Sequence, residues 1–165
     1  MRPDFCLGID PGLSGALALL RTQDKSINSI FDMPIAAGRV DPAKLAGVID
    51  MCKLCGSIHA AVELVQSRPR QSGSHAFGVS VGIVYGVLGA LSVPMELIPA
   101  SAWKPAMGLR RLLNESQTEN KSRARALAVK LWPESAELFR RVKDHDRSEA
   151  ALLARYYCTK LEGLK

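Results

Sequence analysis

The sequence predicts an α/β protein, with one mixed sheet carrying helices on its faces. Three observations predict it. Three short apolar runs, parted by turn residues, fill the first 33 positions. Runs with helical spacing and runs of strand length then alternate along the rest of the chain. Hydrophobic residues make up 47% of the 165 positions and charged residues 23%, which supports a core and argues against a disordered chain. This length suits one domain, 1–165.

Residues 4–10 (DFCLGID) read as a short apolar strand. Gly12 and Ser14-Gly15 mark a tight turn, and 16–21 (ALALLR) reads as its antiparallel partner. Residues 27–33 continue the meander until Pro34. Asp41-Pro42 supplies an N-cap and a first-turn proline, and Leu45, Val48, Ile49 and Cys52 follow at helical spacing. Residues 58–65 (IHAAVELV) form a β-rich run with one acid inside it. A helix over about 72–90 follows, then a strand at 94–98. Residues 116–131 predict a basic amphipathic helix with Ala124, Leu127, Ala128 and Leu131 inward. Residues 146–161 predict a last helix.

The net charge is +6, and all of it lies in residues 101–143, which hold 10 basic and 4 acidic side chains. Both flanking segments are neutral. So localised a field fits either a polyanion, nucleic acid first, or a solvated helix face. Four cysteines (Cys6, Cys52, Cys55, Cys158) and no apolar leader at the N-terminus point to a reducing cytoplasm without a disulfide framework. The lone Cys52-x-x-Cys55 lacks the second ligand pair that zinc would need. Residues 71–95 contain no charged side chain, and Gly78, Gly82 and Gly86 recur every fourth position. Ser72, Ser74, His75 and Ser80 and the missing aromatic belts speak against a membrane span. A buried helix whose glycines admit another backbone, such as a dimer partner, fits better.

The acids carry the chemistry. Asp10 ends an apolar strand, and Glu63 sits within another. Each is costly to bury ionised without a partner. Asp146 and Glu149, three apart, share one face of a helix, and Asp144 lies just outside it. Four converging carboxylates would repel one another unless divalent cations joined them. Hard oxygen ligands suit Mg²⁺ or Mn²⁺, and two such ions serve phosphodiester hydrolysis.

Leu7-Gly8-Ile9-Asp10-Pro11-Gly12, Val62-Glu63-Leu64-Val65 before a small-residue helix, and Asp146-Arg147-Ser148-Glu149-Ala150 opening the last helix resemble, in that order, RuvC-type Holliday junction resolvases. Pro99-Ala100-Ser101-Ala102-Trp103-Lys104 and Asn120-Lys121-Ser122 are similar to compact phage- and prophage-type members. The resemblance implies a ribonuclease H-like fold with five strands, the first three antiparallel. It implies a cytoplasmic homodimer that resolves four-way DNA junctions by paired nicks with two Mg²⁺ per active site. It places metal ligands at Asp10, Glu63, Asp146 and Glu149, with Asp144 a rival for the Asp146 role. It puts Lys104 and Lys121 near the scissile phosphate, Lys121 among the catalytic residues, and the dimer contact on Gly78, Gly82 and Gly86. Arg68, Arg70, Arg110, Arg111 and Arg123 are further DNA-binding candidates. Gln66 stands where some members carry an aromatic residue, and Glu149 where aspartate is common. Trp103 and Trp132 are read as core residues.

Three alternatives stay open: a flap or branched-DNA nuclease on the same fold, an ATP-binding kinase-like domain, and a non-catalytic junction binder. The second rests on Gly-Ile-Asp-Pro-Gly-Leu-Ser-Gly, which also resembles a sugar-kinase phosphate loop.

Overall fold

The computed structural model describes residues 2–64 and 74–163. Gln66, Arg68 and Arg70 lie outside the described residues. Strands β1 (Phe5–Asp10), β2 (Ala16–Arg21) and β3 (Ile27–Asp32) form the expected antiparallel meander. A two-stranded ribbon follows, β4 (Ile35–Ala36) and β5 (Arg39–Val40), which the sequence reading had not anticipated. Its turn runs through Ala37 and Gly38, both at positive φ (49° and 73°). Helix α1 (Pro42–Lys53) starts as the sequence predicts, with the Asp41 carboxylate accepting from the backbone of Ala43 and Lys44. Next come β6 (Ile58–Leu64), α2 (Ser74–Ala90), β7 (Met95–Pro99) and α3 (Ala100–Ala106). Helix α4 (Gln117–Leu131) opens on a Ser116–Glu119 capping box. Two 3₁₀ segments, Pro133–Phe139 and Val142–Asp144, lead into α5 (His145–Glu162).

The main sheet has the order β3-β2-β1-β6-β7. The first three strands are antiparallel, while β6 joins β1, and β7 joins β6, in parallel. Alternation along the strands divides the core. Leu7, Ile9, Leu17, Leu19, Ala60 and Val62 pack with Leu45 and Ile49 of α1 and Val84 and Leu88 of α2. Cys6, Ala16, Ala18, Leu20 and Ala61 pack on the other face with Ala150, Leu153, Ala154 and Tyr157 of α5, and with Ala124 and Ala128 of α4. By the same parity Asp10 and Glu63 belong to the α5 face. Ile9 pairs with Val62, so the two acids end neighbouring parallel strands. Among the described residues, no helix is long and apolar enough to cross a membrane.

Gly8 sets how closely α5 approaches. A Cβ at Gly8 would lie 2.1 Å from the Ala150 carbonyl oxygen and 2.8 Å from the Ala154 nitrogen. Both are backbone atoms, so Gly8→Ala would have to push the helix off β1. We expect it to cost about 3 kcal/mol, read by urea denaturation. A loss below about 0.5 kcal/mol would mean that α5 does not rest on this strand as described.

Candidate active site

The cluster forms at the carboxyl ends of β1 and β6, beneath the first turns of α5. Asp10, Glu63 and Glu149 each present a carboxylate oxygen, and these three atoms lie within 4.8 Å of one another. Gly12 donates its N–H to Asp10 Oδ1 at 3.2 Å, so the turn after β1 holds that side chain. Burial, then the charges of Glu63 and Asp146, push the Asp10 carboxyl up to about 7. Burial likewise raises Glu63, against the pull of Lys104.

Asp146 adds its charge to the same place but is oriented differently. Its Oδ1 lies 2.8 Å from Nε2 of His145, and its Oδ2 is buried with no hydrogen-bond partner among the described residues. Asp144, the rival candidate, is committed elsewhere. Its carboxylate accepts from the Arg141 backbone at 2.7 Å and from the Arg141 guanidinium at 2.9 Å, and Arg147 lies at 3.8 Å. Burial alone would raise Asp144, but these arginine contacts hold it below the usual carboxylate range. Arg147 in turn donates two hydrogen bonds to Asp32, tying the start of α5 to the end of β3.

Two lysines flank the cluster. Lys104 Nζ donates to Glu149 Oε2 at 2.9 Å. Burial opposes its charge, but Glu149 and Glu63 more than offset that and raise it. Among the described residues Lys121 meets a carboxylate only through His145; its Nζ lies 2.6 Å from His145 Nε2, the same nitrogen that meets Asp146. His145 Nδ1 donates to the Val142 carbonyl at 3.2 Å. His145 and Trp103 are contributors that the sequence reading did not place in the site. Trp103 is fully buried, as expected of a core residue, yet its indole N–H donates to Glu63 Oε1 at 3.1 Å. Its place directly before Lys104 was the available signal.

The other candidates divide. Arg110 is exposed. Arg123 spends its guanidinium on the buried Glu115 at 2.7 Å and on the Gly108 carbonyl at 2.9 Å, and Arg111 donates to the Glu115 carbonyl. These two arginines build the loop between α3 and α4; the Glu115 carboxylate offsets Arg123, whereas its carbonyl orients Arg111 and leaves that charge in place. Gly78, Gly82 and Gly86 line an exposed side of α2, where an added Cβ would meet nothing within 4 Å among the described residues. That helix covers the sheet face opposite α5.

No protein-family model matches the chain. No curated protein matches it either. Solved structures do. Thermus thermophilus RuvC aligns with a TM-score of 0.60 at 16% identity, covering 94% of this chain and 96% of that one. T. thermophilus RuvC in complex with a Holliday junction substrate aligns with a TM-score of 0.58 at 17% identity, covering 93% of each. This chain has the RuvC fold. The alignment spans nearly the whole of both chains, so the RuvC-like architecture includes the strands and helix that hold the acidic cluster. The five-stranded mixed sheet of the ribonuclease H-like class, with its first three strands antiparallel, agrees with the sequence expectation.

Proposed function

We propose that this chain is a metal-dependent, structure-selective endodeoxyribonuclease that resolves four-way DNA junctions by paired nicks, acting as a homodimer. The observation that carries the proposal is the convergence of Asp10, Glu63 and Glu149, with Asp146 beside them, on a fold shared with a RuvC solved on a Holliday junction. The donors suit a hard divalent cation. They are carboxylates only, burial and then repulsion from Glu63 and Asp146 raise Asp10 to about 7, and one Asp146 oxygen is buried without a partner among the described residues. Asp10, Glu63, Asp146 and Glu149 would hold the ions, two Mg²⁺ per site with Mn²⁺ as a substitute. Bound there, the ions would supply charge for phosphate oxygens and a lowered pKa for the attacking water.

The chain's own residues do the rest. Trp103 fixes the orientation of Glu63 through its indole N–H. Lys104 and Lys121 bring positive charge to two sides of the cluster, where negative charge builds on the phosphate during cleavage. Arg68, Arg70 and Arg110 are assigned to backbone phosphates, while Arg111 and Arg123 shape the loop between α3 and α4. The open glycine side of α2 receives the second copy, which gives two active sites for two opposed strands. The setting is the bacterial cytoplasm, with phage and prophage genomes among the sources of such chains.

The test is cleavage of a synthetic four-way junction beside a flap, in Mg²⁺ at matched salt. Symmetric paired nicks in the junction support the proposal. Efficient flap cleavage with an intact junction would favour the branched-DNA nuclease instead. A second measurement reports on the metal alone. Trp103 touches a proposed ligand, whereas Trp132 donates to the Lys25 carbonyl away from the cluster. In Trp132→Phe, Mg²⁺ should change the emission of the remaining tryptophan, and Glu63→Gln should suppress the change. An emission blind to Mg²⁺ in both proteins would remove Glu63 from the ligand set.

A further inference from the structure

The loop between α3 and α4 is built with unusual care for a segment whose tip is exposed. Leu113 is 93% exposed and Leu112 is 59% exposed. Exposed single leucines are common, but two in sequence at a loop apex are not explained by the core. Nor is the apex loose. Glu115 closes the turn twice, through its backbone N–H to the Leu112 carbonyl (3.2 Å) and through its carboxylate from the Leu112 N–H (2.9 Å). The same buried carboxylate accepts from Asn120 at 3.1 Å and from Arg123 at 2.7 Å. Arg111 donates to the Glu115 carbonyl through two nitrogens. Asn114, beside Leu113, takes the positive φ (65°) that the reversal needs. A buried carboxylate and two arginines are thus committed to presenting Leu113.

The loop is also tied to the active site at both ends. The Leu109 N–H donates to the Lys104 carbonyl, and Lys104 reaches Glu149. Asn120 binds Glu115, and its neighbour Lys121 reaches His145 beside Asp146. The leucine pair is therefore bracketed by the two lysines that flank the cluster, with the exposed Arg110 just before it.

We infer that Leu112 and Leu113 form an apolar wedge that enters the opened base stack at a DNA branch point, with Arg110 on the adjoining phosphates. This rests on the branched-DNA reading above. Apolar side chains on a rigid, arginine-flanked tip gain by replacing lost base stacking, and a branch point supplies a step that is already partly unstacked. A continuous duplex would have to be unstacked first, so the wedge favours branches over linear DNA. A protein partner would be drawn less to a tip whose adjoining exposed charge, Arg110, suits a phosphate.

The experiment uses the full chain in EDTA, with a four-way junction carrying 2-aminopurine beside the crossover and a linear duplex of the same sequence. Wild type should raise 2-aminopurine emission on the junction and not on the duplex. The double variant Leu112→Ser, Leu113→Ser should lose that rise and bind the junction about tenfold more weakly. Its duplex affinity and salt slope should not change, because no charge has been removed. Leu113→Phe should keep the rise. Thermal melts of these variants should stay close to wild type, since both leucines are exposed. An unchanged emission rise in the serine variant, from a wild type that does nick junctions, overturns the wedge and leaves the nuclease reading standing. A shift of the serine variant from dimer to monomer in sedimentation would also overturn it, assigning the leucines to a contact between copies. A wild type that neither prefers nor nicks junctions overturns both readings together.

Discussion

Asp10→Asn and Glu63→Gln are each expected to lower junction cleavage in Mg²⁺ by roughly a thousandfold or more. Each removes one anionic oxygen from a set of three that lie within 4.8 Å of one another, while keeping the size and hydrogen-bonding shape of the side chain. The backbone frame should survive. Asp10 ends a strand paired on both sides, and Glu63 lies in a strand with the same support. Binding should survive too, because the groups proposed to hold DNA phosphates are Lys104, Lys121 and the arginines. Junction affinity in EDTA should stay within about threefold of wild type, or improve slightly as one negative charge leaves the DNA-facing surface. The decisive pair of measurements is a nicking assay and an electrophoretic junction-binding titration on the same preparations. Cleavage near the wild-type rate in both variants would remove the cluster from catalysis. Loss of cleavage together with loss of binding would instead point to a folding defect.

Much of this arrangement could be read before any coordinates, for physical reasons. An acid inside an apolar strand needs an explanation, and Glu63 announced itself that way. Asp10 likewise stood out at the end of a short apolar run, but that both acids share one face follows only from the sheet. What periodicity could not supply was the pairing of β1 with β6, a parallel contact across more than 40 positions. Trp103 was missed as a site residue because its burial and its residue type both signal core, and its bond to Glu63 exists only once α3 packs against the end of β6. Helix α3 itself was hidden by its brevity and by Pro105. Charge counting was incomplete in one respect. It named Arg111 and Arg123 for the DNA without showing that Glu115 anchors both, Arg123 through its carboxylate and Arg111 through its carbonyl, which leaves that assignment standing as a proposal. The choice between Asp144 and Asp146 was open in sequence, although Arg141, three positions before Asp144, was a clue to which acid would be neutralised within the protein.

The second large effect is on stability, and it needs no DNA. Without metal, Asp10 has a folded-state pKa pushed up to about 7, whereas in the unfolded chain it titrates near the ordinary value of 3.8. Below about pH 4 the carboxyl is protonated in both states, and its contribution to stability is fully present. Between about pH 4 and 7 the unfolded chain has released a proton that the folded chain still holds, so stability falls as pH rises, by about 1.4 kcal/mol per unit at most. The accumulated loss is on the order of 4 kcal/mol, and Glu63, raised in the same direction by burial, adds to it. In EDTA, wild type should therefore melt at a lower temperature at pH 8 than at pH 5.5, beyond any drift shared by Asp10→Asn. The variant, neutral at that position, should be the more stable protein at pH 8. Millimolar Mg²⁺ should restore wild type at pH 8, where the carboxylates are charged, and do little at pH 5.5, where Asp10 keeps its proton. It should do little for the variant at either pH. The same substitution would then abolish cleavage while stabilising the metal-free chain, which is the signature of acids held together for a cation and not for the fold. Parallel melting curves for the two proteins from pH 5.5 to 8 in EDTA would show that Asp10 carries no such strain.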